Sequence, residues 1–228
     1  PAQRPREPRH PAPRPRLRRR RVQLGRARVL GHRFREQRIR LSPAFDMLDQ
    51  DWMRLTNEDV RGQMVLYTFT YTNCPSPCHD IDKTMQEIQA RLSEADLGET
   101  KMSFITISFD PQIDSPLVLR AHAKSIDADT DQWKFVTSPN EAMLKTIIGS
   151  GFHAYYEKTP DNSFTFDPTF VLVDGWGIIR GEYKYQTEVS TADRILRHIS
   201  VLADEVQNSS GPQKVAYEAA HLFLCYAP

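Results

Sequence analysis

The chain has 228 residues, which leaves room for one ordinary domain with extensions or for two small domains. Its overall composition is average, with 39% hydrophobic and 26% charged residues and a formal net charge of +1. The charge is unevenly distributed, because residues 1–40 hold fifteen Arg against two acidic residues and the remainder is acidic. No run of about 18 apolar residues occurs, so we expect no spanning segment. Three cysteines are too few for a disulfide scaffold.

The first segment, residues 1–41, is rich in Arg and Pro and has no hydrophobic periodicity. This composition predicts a basic disordered tail. Its functional interpretations are an anionic lipid surface or nucleic acid, and the alternative is a segment that is simply solvated. Its one aromatic residue, Phe34, offers little for bases to stack on, so we expect no nucleic-acid partner.

From residue 42 onwards, strand-like and helix-like patterns alternate. Residues 64–71 are rich in β-branched and aromatic side chains, which predicts a buried strand. Apolar residues then recur at helical spacing from Ile81 to Leu92. The other predicted elements are an extended segment over 45–55, strands over 102–109 and 133–136, a helix opened by Ser115-Pro116, a helix through Ile148 that starts at a capping box over 138–141, a hairpin of 170–173 and 178–185, and a closing helix over 195–206.

This order predicts an α/β fold. Strands that alternate with helices favour a largely parallel central sheet with helices on both faces, and the late hairpin adds antiparallel strands to make the sheet mixed. We therefore expect one domain over 42–206, a linker over 207–213 that is rich in Ser, Asn, Gly and Pro, and a helical C-terminal segment over 214–228.

Two cysteines, Cys74 and Cys78, lie between the end of the first predicted strand and the start of the first helix. A helix N-terminus carries partial positive charge, which favours a thiolate over a thiol. A thiolate can attack a disulfide or bind a soft metal such as Cu(I). The alternatives are two buried structural cysteines, or haem attachment through Cys78-His79, although that motif is one residue shorter than this one.

The sequence around the cysteines, Phe69 to Cys78, resembles the signature of the SCO/SenC proteins, thioredoxin-like copper chaperones for the CuA centre of cytochrome c oxidase. The resemblance extends over 45–51, over 108–116 and to Trp133. It implies a thioredoxin-like fold over 42–206 and a chaperone that assembles the CuA centre rather than an enzyme. In that function Cys74 and Cys78 bind copper as Cu(I) and/or pass reducing equivalents to the thiols of a client.

The resemblance also implies a partner and a compartment. The partner would be the CuA subunit of the oxidase or another thiol client protein. The compartment would be extracytoplasmic, on the periplasmic side or at the outer face of the cell membrane. Association with a membrane is possible there, although we expect no spanning segment in this chain.

The chain departs from the family at the third copper ligand. The family has a histidine before the last core strand, and Phe166 stands at that position here. The nearby Pro168-Thr169 is similar to the strand entry of thioredoxin-like disulfide reductases. The alternative function is therefore a thiol–disulfide oxidoreductase without stable copper binding, in which Cys74 attacks a client disulfide and Cys78 resolves the mixed disulfide.

Other side chains are weaker candidates for the site. His153, His221 and Cys225 could each supply a further copper ligand, because imidazole and thiolate groups both bind copper. Two thiolates alone suit Cu(I) better than Cu(II). Asp110 is interpreted either as a carboxylate that acts near the cysteines or as a cap, and Asp114 is expected to cap the helix that begins at Ser115-Pro116.

Overall fold

The computed structural model describes residues 40–74, 77–188 and 190–208. Its strands are β1 (Asp46–Asp49), β2 (Arg54–Thr56), β3 (Gln63–Thr70), β4 (Lys101–Ser108), β5 (Trp133–Thr137), β6 (Tyr156–Lys158), β7 (Phe164–Phe166), β8 (Thr169–Val173) and β9 (Ile179–Lys184). Its α-helices are α1 (Cys78–Ala90), α2 (Pro116–Ser125), α3 (Glu141–Leu144) and α4 (Ala192–Asn208), with a 3-10 turn over Leu92–Glu94 and a π-helix over Lys145–Gly151.

A seven-stranded mixed sheet in the order β2-β1-β5-β4-β3-β8-β9 forms the centre of the fold. Strands β3, β4 and β5 run parallel, whereas β8 and β9 form the antiparallel hairpin that the sequence predicts. The predicted mixed α/β sheet is therefore confirmed. Because the parallel strands end together, the loops that follow β3 and β4 meet at one edge of the sheet.

Strand β3 is buried on both faces, which explains its nearly continuous apolar sequence. Met64 and Leu66 join the core beneath α1, α2 and α4, whereas Val65, Tyr67 and Phe69 join the core beneath α3 and the π-helix. This alternation follows from the two-residue period of a strand. Helices therefore cover both faces of the sheet, as predicted.

Three local expectations need correction. The extended segment over 45–55 is a hairpin of β1 and β2, with Trp52 at a positive φ of 64° in its turn. The predicted helix through Ile148 is α-helical for four residues only and continues as the π-helix. Its N-cap is Asn140, whose Oδ1 accepts from the Met143 N–H at 3.1 Å. The β6–β7 hairpin was not predicted.

Several predicted segments lie outside the described residues. They are the basic tail (apart from its last two residues), the linker (apart from its first two residues), the C-terminal helical segment, and the candidate ligands His221 and Cys225. Among the helices of the described ranges, none combines the length and the apolar character that crossing a membrane requires.

A partly buried ion pair joins α1 to α2. The Nε2 atom of His122 lies 3.0 Å from Oδ2 of Asp82, a side chain that is only 4% exposed, and the imidazole packs edge-on against Phe135. Burial lowers the pKa of His122, but the hydrogen bond and charge of Asp82, together with the charge of Asp114, outweigh burial and leave this pKa raised above 6.5.

The raised pKa of His122 predicts a pH-dependent loss of stability in His122→Gln. The pair should contribute its full stabilisation below the unfolded-state pKa, and this contribution should disappear as the pH rises through the folded-state pKa. In urea unfolding we expect the variant to lose about 1.5–3 kcal/mol near pH 5 and clearly less near pH 9.

The control for this prediction is His79→Gln, which removes an exposed histidine from the same helix α1. It should change the free energy of unfolding by no more than about 0.5 kcal/mol. A loss in His122→Gln that stays constant or grows with rising pH would contradict the ion pair.

Candidate functional site

The structure joins Cys74 and Cys78 in one disulfide at the junction of β3 and α1. Their Cα atoms lie 5.8 Å apart. Cys74 lies in the loop after β3 and is half-buried, whereas Cys78 is the first residue of α1 and is only 3% exposed. The pair is therefore presented to a partner through Cys74, and Cys78 lies behind it.

The N-terminal end of α1 faces this loop. Pro77 is the N-cap residue and has no side chain that could cap the helix, and its carbonyl accepts the N–H groups of Asp80 and Ile81 at 3.0 and 3.1 Å. The positive end of the helix dipole is thus directed at the cysteines. This arrangement favours negative charge on a reduced sulfur.

Aromatic rings form the wall beside the loop. The Tyr71 ring lies 5.4 Å from that of Phe109, 5.0 Å from Phe164 and 6.2 Å from Phe166, measured between centroids. Cys74 packs against the same core cluster. Phe166, at the position where the resemblance implies a histidine, is therefore part of an apolar wall and offers no atom that could bind a metal.

Asp114 does not cap α2, contrary to the sequence prediction. The N-cap is Ser115, and Asp114 is fully buried, where its carboxylate accepts from the Thr72 N–H at 2.9 Å, from the Ser108 hydroxyl at 2.5 Å and from the Thr72 hydroxyl. A buried carboxylate needs such donors, because without them its desolvation would be costly. Asp114 thus ties the cysteine loop to β4.

Thr72 and Ser108 were missed by the sequence analysis as parts of the site. A weak signal was present, since Thr72 precedes Cys74 by two residues and Ser108 ends the neighbouring strand. Neither position shows from sequence alone that a buried carboxylate lies between them.

Asp110 follows β4 and is nearly buried. Burial raises the pKa of its carboxyl, the charge of Asp114 raises it further, and Lys158 opposes this shift. It borders a cavity of about 320 Å³ that is lined by Phe109, Asp110, Pro111, Glu141, Ala142, Lys145, Tyr156, Lys158 and Phe164. A role for Asp110 in proton movement remains a prediction.

His153 is exposed and lies at a positive φ of 57°. Its Nδ1 atom accepts from the Arg40 guanidinium at 2.6 Å, because Arg can only donate. Across the described ranges no three His, Cys, Asp or Glu side chains are grouped to hold a metal ion. His153 therefore does not complete a three-ligand site with Cys74 and Cys78.

Two curated relatives illustrate the sequence similarity. The chain is 25% identical over 140 residues to the SCO1 protein homolog of Bacillus subtilis, covering 61% of this chain and 71% of that protein. It is 37% identical over 163 residues to the mitochondrial SCO2 homolog of mouse, covering 68% of this chain and 61% of that protein. The similarity thus spans about three fifths to seven tenths of these relatives.

Solved structures share the fold. A SCO1/SenC family lipoprotein from Bacillus anthracis aligns with a TM-score of 0.65 and 23% identity over 72% of this chain and 95% of that chain. BsSco, described as a member of the Sco family of cytochrome c oxidase assembly proteins with a disulfide switch, aligns with a TM-score of 0.63 and 22% identity over 73% and 95%. ScoI of Arabidopsis thaliana, solved with copper bound, aligns with a TM-score of 0.60 and 17% identity over 73% and 98%.

The family model described as SCO1/SenC matches residues 35–202, a range that contains the whole central sheet and the Cys74–Cys78 disulfide. These neighbours also confirm the thioredoxin-like fold expected from the resemblance. On this match the chain belongs to the SCO1/SenC family.

Proposed function

We propose that this protein assists assembly of the copper centre of cytochrome c oxidase through Cys74 and Cys78. The observation that carries the proposal is the cysteine pair itself, held at bonding distance at a helix N-terminus. Family membership supports it, as do the oxidase-assembly description of BsSco and the copper bound to Arabidopsis ScoI.

Copper is the cargo in this proposal, and the donor set favours its reduced form. Reduction of the disulfide supplies two thiolates, which are soft ligands that suit Cu(I). Cu(II) would need a nitrogen or further ligands, and the described residues place no third ligand beside the pair. We therefore propose that Cys74 and Cys78 hold Cu(I) and bind Cu(II) weakly.

The same pair can carry out thiol–disulfide exchange, which is the second candidate function. The Cys74 thiolate attacks a client disulfide, forms a mixed disulfide and releases one client thiolate, which takes up a proton. The Cys78 thiolate then attacks the Cys74 sulfur and releases the second client thiolate. The client gains two electrons, and the cysteine pair ends as a disulfide. Two observations favour this candidate. Cys74 is half-buried and Cys78 is buried, which suits an attacking and a resolving thiol, and Phe166 has no atom that could bind copper.

The partner and the compartment follow from the same proposal. The partner is the CuA subunit of the oxidase or another client with reactive thiols. The compartment is extracytoplasmic, which suits a pair that cycles through a disulfide. The similarity to a family lipoprotein from Bacillus anthracis supports a location at the outer face of a membrane.

A competition titration with Cu(I) on the fully reduced chain tests the proposal. We expect one tightly bound equivalent in the unmodified chain, and its loss in Cys74→Ser and in Cys78→Ser, because each variant removes one of two thiolates. Cys225→Ser is the control, since it removes the third cysteine of the chain and should keep the equivalent.

The outcome separates the two candidates. Retention of tight Cu(I) binding in Cys74→Ser or Cys78→Ser would contradict the proposed copper site. Absence of binding in the unmodified chain, together with disulfide exchange that is lost in the same variants, would leave thiol redox chemistry as the function.

The position of Phe166 predicts a gain of Cu(II) binding in Phe166→His. Added to the reduced unmodified chain, Cu(II) should give no thiolate-to-copper absorption band, whereas the variant adds an imidazole to the wall beside Cys74 and should give one. The control is Thr165→His, because neighbouring residues of a strand face opposite sides and Thr165 is exposed. A band in the unmodified chain, or equal bands in both variants, would contradict the claim that Phe166 stands where a histidine ligand would complete the site.

Burial predicts the order in which the two cysteines react. After reduction, a limiting amount of iodoacetamide should alkylate Cys74 before Cys78, because Cys74 is half-buried and Cys78 is only 3% exposed. Peptide mass spectrometry at successive times measures both sites in one experiment. Faster labelling of Cys78 would reverse the proposed roles of attacking and resolving thiol.

A further inference from the structure

The loop that carries Cys74 is anchored at both ends. Cys78 belongs to α1, which is fixed in the core by Ile81, Met85 and Ile88. On the other side Thr72, two residues before Cys74, is bound to Asp114 through both its backbone N–H and its hydroxyl. Thr72, close to Cys74 in the chain, is thus fixed by a residue outside the loop.

The anchor on the Thr72 side is itself fixed. Asp114 is fully buried, accepts from the Ser108 hydroxyl at the end of β4, and donates its own N–H to the Asp110 carbonyl at 2.8 Å. The β3–β4 ladder also extends past the strands, because the Phe109 N–H donates to the Thr70 carbonyl at 3.1 Å. Movement of Thr72 would therefore cost hydrogen bonds to a buried carboxylate.

We propose that Thr72 and Asp114 form a latch that favours the disulfide over the dithiol. Both are positioning residues that act through the place they give to Cys74. The latch holds Cys74 and Cys78 at a Cα–Cα distance of 5.8 Å, within the range that a disulfide requires. Two sulfur atoms that are not bonded must lie further apart than in a disulfide. Reduction therefore displaces Cys74 and strains the hydrogen bonds between Thr72 and Asp114.

This inference rests on the disulfide exchange of the proposed function. The reaction measured is the exchange of the pair with glutathione, in which two glutathione thiols become one glutathione disulfide and the Cys74–Cys78 disulfide becomes two thiols. Electrons and protons balance within this exchange. A weaker latch should move its equilibrium towards the dithiol.

The test compares Thr72→Val with Thr72→Ser in the full chain with Cys225→Ser, so that only Cys74 and Cys78 carry thiols. Valine keeps the shape of threonine and removes the hydroxyl donor, whereas serine keeps the donor. We expect Thr72→Val to shift the equilibrium about tenfold towards the dithiol, since bonds to a charged acceptor are strong. That shift corresponds to about 30 mV in reduction potential. Thr72→Ser should stay near the unmodified value.

Asp114→Asn provides a second route to the same result. Asparagine keeps one oxygen that can accept from the Thr72 N–H but removes the negative charge that strengthens these bonds, so we expect a shift in the same direction. This variant decides the question if Thr72→Val does not fold.

The outcomes distinguish the latch from the function on which it rests. If Thr72→Val and Thr72→Ser both keep the unmodified equilibrium, or shift it equally, the latch is overturned while the exchange function stands. A shift towards the disulfide also overturns it. If the unmodified pair does not exchange with glutathione at all, the redox function fails, and the latch fails with it.

Discussion

The separation between Cys74 and Cys78 is the constraint on which the site depends, and the fold fixes it at 5.8 Å between Cα atoms. One cysteine follows a central strand that pairs on both sides, and the other opens a helix that packs into the core. Because the strand and the helix both belong to the core, the fold limits how far this separation can change. A pair held in this way can close as a disulfide or, when reduced, offer two sulfurs to one soft ion.

Two buried carboxylates lie in or directly before the helices α1 and α2, which flank the site. Asp114 is satisfied by hydroxyl and backbone donors, and Asp82 is paired with His122. Losing a donor there is costly, because a buried carboxylate cannot turn to water for a replacement. The other side of the cysteine loop is an aromatic wall, in which the rings of Phe109, Phe164 and Phe166 surround that of Tyr71. The site therefore has a buried, hydrogen-bonded carboxylate on one side of the cysteine loop and aromatic rings on the other side.

Elements with a strong pattern could be predicted from the sequence, and elements defined by tertiary contacts could not. The apolar run of β3 and the helical spacing from Ile81 to Leu92 both led to the correct structures. The β6–β7 hairpin was missed because strands of three residues carry too little periodicity. The π-helix was missed because a change in hydrogen-bond register leaves no mark on the apolar pattern.

The site was predicted in the same uneven way. The position of Cys74 and Cys78 followed from the order of strand and helix, whereas the partners of Asp114 depend on how two loops meet in space. A cap was the obvious local role for an Asp before Ser-Pro, and the tertiary contact outweighed it. The copper and redox roles of the two cysteines stay predictions, as do the domain boundaries at 41, 206 and 213.

X-ray absorption at the copper edge of the Cu(I)-loaded chain tests the central claim most directly, because it counts the atoms bound to the metal. Two sulfur neighbours without an imidazole shell would agree with a site made by Cys74 and Cys78 alone. A shell that contains nitrogen, or a single sulfur, would contradict this account and would mean that another residue of the chain binds the metal.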